Sequence, residues 1–291
     1  MAKELKAKSA LHYHAKAFAN NWDLNIYRGC GHHCRYCFAQ YSHKYLNSND
    51  FFEEIFVKTN IAEPLEKELS KKKWRKDKIT VCGVSDCYQP LEKHYKLMPK
   101  ILRLFKKYRN PMTISTKSTL ALRDIDLIKD LAKVADVEIV TSVSTLDESI
   151  RKKIEPAAPP AKERIKMLKE FKKVGCKIFV LLMPIIPHLT DGDDNLEEIF
   201  KLMKKCGVEE VIAGTLHLRG NTKKEFFKFI KEEIPELEEK LRKLYVGAYA
   251  SKEYRKNLGL KIKKLRIKYN LHKSYEPKTK KIVQLTLFDI K

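Results

Sequence analysis

Apolar residues in the first two thirds of the chain fall into two alternating patterns. Short runs at residues 24–27, 79–84, 112–116, 137–143, 177–183 and 210–214 read as strands. Between them the apolar positions recur at helical spacing: Met98, Ile101, Leu102 and Phe105 form one set, and Leu196, Ile199, Phe200 and Met203 another. Each set puts one apolar stripe on a helix. Six alternations of strand and helix predict an α/β chain with a parallel sheet, and six βα units curled together make a partial (β/α)6 barrel. Polar residues at the C-terminal ends of such strands converge on one active face. Gly175 and Gly207 end helical stretches ahead of strands and read as helix C-caps, which makes the adjacent Cys176 and Cys206 structural.

Beyond residue 220 the pattern becomes helix-rich and strongly charged, with apolar positions at Phe226, Phe227, Phe229 and Ile230, then Leu237, Leu241 and Leu244. The expected organisation is a barrel over 1–220, a basic helical extension over 221–281 and a tail over 282–291. Between residues 252 and 281, Lys and Arg far outnumber the acidic Glu253 and Glu276, and Tyr254, Tyr269 and Tyr275 interleave with them. Such a mixture suits phosphate contacts with base stacking. The alternative is a solvated helical face whose tyrosines pack on the barrel.

Composition narrows the class. A chain of 291 residues with 43% hydrophobic content buries a substantial core, as one large domain or one with a small appendage. The N-terminal MAKELKAKSA lacks an apolar signal core and no run of about 18 apolar residues occurs, so the expectation is a cytoplasmic protein with no membrane contact. Seven cysteines, an odd number spread along the chain, suit a reducing compartment. Sixty basic residues against 37 acidic ones leave a net charge of +23, which points to a polyanionic partner, nucleic acid first. A high-temperature source would account for abundant charge, but not for the imbalance.

Three of the cysteines carry the chemistry. Cys30, Cys34 and Cys37 follow the first strand-like run with C-x3-C-x2-C spacing. Thiolates at these three positions leave a four-iron cluster one protein ligand short, and an open iron is a place for chemistry. The competing reading is zinc completed by His32 or His33, because Cys and His at short spacing also suit a tetrahedral ion. A zinc ribbon more often shows two C-x2-C pairs, and there is no second pair.

With Tyr36 just before the third cysteine, the motif resembles the radical S-adenosylmethionine (SAM) superfamily. The stretch 25–40 resembles the branch that includes spore photoproduct lyase. So do residues 84–92, Ser115-Thr116-Lys117, residues 141–144 and residues 155–160, in the same order, over about residues 25 to 215. The resemblance implies a [4Fe-4S] cluster on Cys30, Cys34 and Cys37 and SAM chelated at the open iron. An electron from a donor protein would pass through the cluster and cleave SAM to a 5′-deoxyadenosyl radical. It further implies that Tyr36 lies beside the adenine, that Ser85 and Asp86 accept hydrogen bonds from the SAM ammonium, that Lys117 pairs with its carboxylate and that Ser142 bonds the nucleoside. Taken singly, Ser85 and Ser142 read as serines closing strands through local backbone bonds. Glu155, with the prolines after it, reads as a stiff helix entry.

In the lyase, a cysteine near the second strand end donates hydrogen to the substrate radical, and the matching position here is Gly83. Its neighbours Cys82 and Cys87 are the candidate donors. Cys82 lies inside a strand and reads as a small core residue. Cys87 lies past the strand end and is expected to face the cavity.

The implied activity is radical chemistry on nucleic acid, DNA in a repair or modification role. Alternatives are RNA, a protein or a small molecule as substrate, or a non-enzymatic, zinc-bearing, DNA-associated module. His12 and His14 share a strand face without completing a metal site, and read as surface polar residues. The terminal Gln284, Leu287, Phe288 and Ile290 resemble a sliding-clamp binding box, which would seat a short helical turn in an apolar groove with Gln284 in a side pocket. Ile290 and Lys291 stand where such boxes carry paired aromatics. The alternative for this segment is a terminal strand packed back on the barrel.

Overall fold

Short runs form the strands, rich in β-branched residues from β5 onward, in chain order β1 (Ala2–Leu5), β2 (Leu11–Tyr13), β3 (Trp22–Leu24), β4 (Tyr27–Arg28), β5 (Ile55–Lys58), β6 (Ile79–Val81), β7 (Met112–Ser115), β8 (Val137–Ser142), β9 (Lys177–Ile185) and β10 (Glu210–Thr215). The computed structural model describes residues 2–15, 21–46, 48 and 50–271. β3, β6, β7, β8, β9 and β10 lie side by side and parallel, and β2 runs antiparallel along the β3 edge. Consecutive parallel strands joined by outer helices make the partial (β/α)6 barrel that the periodicity predicts.

Each barrel strand has one face against the helices and one facing the concave interior. Along β9, Val180 and Leu182 are fully buried, whereas Phe179, Leu181 and Met183 are half-buried on the other face. The helices bury the predicted stripes: Met98, Ile101, Leu102 and Phe105 in Leu97–Tyr108, and Leu196, Ile199, Phe200 and Met203 in Asp193–Lys205. Gly175 and Gly207 have φ of +96° and +73°, the left-handed conformation a helix C-cap takes.

The first strand departs from expectation. The run 24–27 splits at Asn25, whose side chain donates to Asp23 Oδ2 (2.7 Å) and accepts from the Val84 N–H (3.1 Å). Trp22–Leu24 stays in the barrel, and Tyr27–Arg28 turns into a second sheet of order β1-β5-β4. The cysteine loop therefore follows β4. This small sheet gives no periodic signal, because its strands span two to four residues and β5 is buried throughout.

The chain after residue 220 packs in two places. Helix Asn221–Glu233 buries Phe226, Phe227, Phe229 and Ile230 in a core shared with Cys34 and Tyr36. Helix Lys252–Tyr269 inserts Leu258, Ile262 and Leu265 into the main core. Tyr254 donates to Asp191 (2.7 Å) and Tyr269 to Glu197 (2.7 Å), so these two tyrosines are tied to the barrel and do not form an outward stacking face. Tyr275, Gln284, Leu287, Phe288 and Ile290 lie outside the described residues. Among the described residues no helix is long and apolar enough to cross a membrane.

Candidate active site

The cysteine loop is held from three sides. Gly29 enters it at φ +86°, and a Cβ there would lie 2.8 Å from the Phe51 carbonyl oxygen and 2.9 Å from that of Glu54. Gln89, fully buried, accepts from the Gly31 N–H (2.9 Å) and donates to the Gly29 carbonyl (3.2 Å), gripping the backbone on both sides of Cys30. From the other side the Arg35 N–H donates to the Ile154 carbonyl (2.9 Å) and the Ala157 N–H to the His32 carbonyl (3.4 Å). Gly29→Ala is expected to cost at least about 2 kcal/mol, from the left-handed backbone and the carbonyl contacts together. Denaturant unfolding and iron content measure it, and an alanine variant of wild-type stability with full iron would contradict it.

Cys30, Cys34 and Cys37 are free thiols. Burial raises all three thiol pKa values, that of Cys34 to about 12; Asp86 and the Cys34 thiol add to the effect at Cys30, and Glu155 and the Cys37 thiol at Cys34. Buried thiols of this kind ionise once metal supplies positive charge. Among the described residues no three His, Cys, Asp or Glu side chains converge as they would around one ion. A cubane does not ask for that, because each thiolate meets its own iron. The residues fit such a cluster.

Asp86 ties this loop to the strand ends. It is buried, lies 3.1 Å from His32 Nε2, and accepts from Thr116 Oγ1 (2.7 Å) and from the N–H groups of Lys117 (2.7 Å) and Tyr88 (2.8 Å). Burial opposes its charge, but His32 and these donors outweigh it and hold its pKa at about 2. With both oxygens already engaged, Asp86 positions His32 and the loop, and would have to release a donor to receive an ammonium. Ser85 donates to the Tyr27 carbonyl (3.2 Å), a tertiary bond to the end of the first strand region and not the local backbone bond that its position after a strand suggests.

A second network joins Cys34, Tyr36, Lys117 and the end of β8. Tyr36 donates to Glu155, which is ion-paired with Arg164; both partners are essentially inaccessible. Arg164 also donates to the carbonyls of Ser142 (2.9 Å) and Pro159 (2.7 Å). Lys117 Nζ stands 5.8 Å from the Tyr36 ring centre. Burial works against its charge, yet Cys34 and Glu155 beside it leave the Lys117 pKa raised. Glu155 is thus the centre of a buried ion-pair network, more than a helix entry.

Arg164 and Gln89 escaped the sequence reading. Arg164 was detectable in principle as a charge on the apolar stripe of helix Ala161–Lys173, beside Ile165, Leu168 and Phe171. Gln89 carries no such signal.

Cys82 and Cys87 are not at the mouth. Both lie in the main core, 4% and 0% exposed, with their thiols in contact, and Cys82 sits at φ +69°. Cys87 was expected to face the cavity. The turn at residues 85–88 aims Asp86 at the cysteine loop and sends Cys87 inward.

Set beside known proteins, residues 24–202 match the Radical SAM superfamily. The chain belongs to the radical SAM superfamily. Members of this superfamily bind a [4Fe-4S] cluster and SAM as cofactors. An uncharacterized protein of Mycobacterium tuberculosis is 34% identical to this enzyme over 98% of its chain and 87% of the relative's. Another, of Methanocaldococcus jannaschii, is 37% identical over 58% and 61%. Spore photoproduct lyase complexed with dinucleoside spore photoproduct superposes with a TM-score of 0.68 at 15% identity, covering 92% of this chain and 79% of the lyase.

Proposed function

We propose that this radical SAM enzyme acts on nucleic acid, DNA above RNA, in a repair or modification reaction. In this reading Cys30, Cys34 and Cys37 hold the cluster, while Tyr36, Lys117 and Ser142 contact SAM and Asp86 positions the loop. The chain's contribution is orientation and exclusion of water, since the cofactor supplies the radical.

The observation that supports the substrate class is excess positive charge on two exposed faces. On helix Lys252–Tyr269 the side chains of Lys261, Arg266 and Lys268 turn back to the barrel, whereas Lys252, Lys256, Lys263 and Lys264 are exposed and make no ion pair among the described residues. Lys162, Lys166, Lys201 and Lys205 line a groove of about 270 Å³ between helices Ala161–Lys173 and Asp193–Lys205, with Glu198 its acidic member. Cationic faces of this kind match a phosphate backbone. The dinucleoside bound by the fold neighbour is in keeping with such a substrate.

Titration of labelled single-stranded DNA, duplex DNA and RNA at increasing salt is the test. DNA is expected to bind most tightly, with log affinity falling steeply against log salt as counterions are released. Salt-independent binding, or none, would remove nucleic acid as the substrate. A sliding clamp remains a proposed partner through Gln284, Leu287, Phe288 and Ile290, and capture by immobilised clamp that vanishes on deleting residues 284–291 would support it.

A further inference from the structure

At the β2 edge of the barrel, polar side chains from several elements gather away from the network around the cysteines. Asp23 on β3 stands across from His12 on β2. Arg28 lies on β4, Lys58 ends β5, and Cys82 and Gly83 follow β6. Asp23 and Lys58 are 9% and 8% exposed. Lys58 lies within electrostatic reach of Arg28, Asp23 and Cys82, and His12 within reach of Lys58, Asp23 and Arg28.

Hydrogen bonding here is incomplete. Asp23 Oδ2 accepts from Asn25, but Oδ1 is buried without a hydrogen bond: His14 Nε2 comes within 3.2 Å without the alignment for one. The buried His12 Nε2 also lacks a partner. Neither Lys58 Nζ nor the Arg28 guanidinium makes a hydrogen bond or ion pair among the described residues. Gly83 packs closely on this carboxylate, since a Cβ there would come 3.2 Å from Asp23 Oδ2. Two cations against one carboxylate leave excess positive charge in a place where unpaired charge is costly. Lys58 is a buried residue and Arg28 a half-buried one, and cations left unpaired among the described residues call for an anion.

We infer that Lys58 and Arg28 form an anion subsite that takes a backbone phosphate of the nucleic-acid substrate, anchoring it beside the cysteine loop. The inference rests on the nucleic-acid reading above. Arginine's planar fork and lysine's compact charge are both suited to phosphate oxygens. Arg28 is two residues ahead of Cys30, so an anchored phosphate holds the neighbouring sugar and base close to the radical source.

Electrostatics adds a pH signature. Burial, then Arg28, lowers the Lys58 pKa, against Asp23 and Cys82, which raise it; the result is about 8, with His12 facing it from β2. Anion binding should therefore weaken from pH 7 to 9. Holding a charged lysine here costs stability below pH 8, and the cost fades as pH rises toward 10.5, where the unfolded lysine also loses its proton.

The test uses full-length, cluster-reconstituted protein and a short single-stranded DNA, either as phosphodiester or as the uncharged methylphosphonate of the same sequence. Lys58→Met is expected to weaken the phosphodiester about 10-fold, leave the methylphosphonate affinity unchanged and raise the melting temperature at pH 7. Lys58→Gln should repeat the binding result if the methionine variant folds poorly. Equal phosphodiester affinity in variant and wild type, or a lowered melting temperature with equal loss for both DNAs, would overturn the subsite. Competition by inorganic phosphate as effective as by DNA would assign it to free phosphate and overturn the backbone assignment. If wild-type protein bound no nucleic acid at all, the parent reading would fail instead.

Discussion

Cys30→Ala should reduce 5′-deoxyadenosine release from SAM, assayed anaerobically with dithionite, to the level of a protein-free control. Three thiolates are the fewest that leave a single open iron, and removing one destroys the chelation geometry along with a ligand. Iron content should fall in parallel, because the loop was built to present all three sulfurs: Gln89 grips the backbone on both sides of Cys30, and Gly29 permits the turn. Cys176→Ala is the matched control. Cys176 is an equally free thiol, 5% exposed, beside the helix C-cap Gly175, and its loss should leave release intact. Release by the Cys30 variant equal to wild type, or anaerobically purified wild type carrying zinc and no iron, would remove the cysteine assignment.

The second large effect is on stability. Arg164→Met should destabilise the fold by about 3–5 kcal/mol, because it strands the Glu155 carboxylate, 2% exposed, without its cation. In the wild-type protein burial pushes the Glu155 pKa up, but Arg164, Lys117 and the Tyr36 hydroxyl overcome it and the pKa is lowered. Its contribution is thus present above pH 4.5, the ordinary value, and is lost on acidification. In the variant burial dominates, the pKa rises, and the carboxylate becomes a cost that grows with pH. The stability gap between the two proteins should therefore be widest near pH 7 and shrink as pH falls toward 4.5, as read by denaturant melts between pH 5 and 7. Adding Glu155→Gln to Arg164→Met should recover part of the loss. A gap that does not change with pH would mean that Arg164 matters only for packing.

Both predictions concern groups of different legibility. The cysteines were visible as a spacing, and the barrel strands as apolar runs, although the first run breaks at Asn25 and the second outlasts its strand, which ends at Val81. Their helices were visible for the same reason: burial of one stripe leaves a repeat in the chain. Local order also shows in Gly175 and Gly207, whose left-handed backbone ends a helix regardless of what packs nearby. The small sheet of β1, β4 and β5 was not visible, since two to four residues carry no period. His12 and His14 read as surface polar residues for a related reason. Only the pairing of β2 with β3 brings them against Asp23.

The sequence by itself determined the alternating βα architecture, the cysteine motif with its aromatic neighbour and the excess of positive charge, because each is a property of composition or of spacing along a local element. Tertiary structure alone decided that Gln89 clamps the cysteine loop, that Glu155 joins Tyr36 to Arg164, that Cys87 turns into the core and that Lys58 and Arg28 come within electrostatic reach of each other without an ion pair among the described residues. Each of those depends on which distant segments share a buried space. Hydrophobic periodicity records that a residue is buried, and the chain crossing decides what it is buried against.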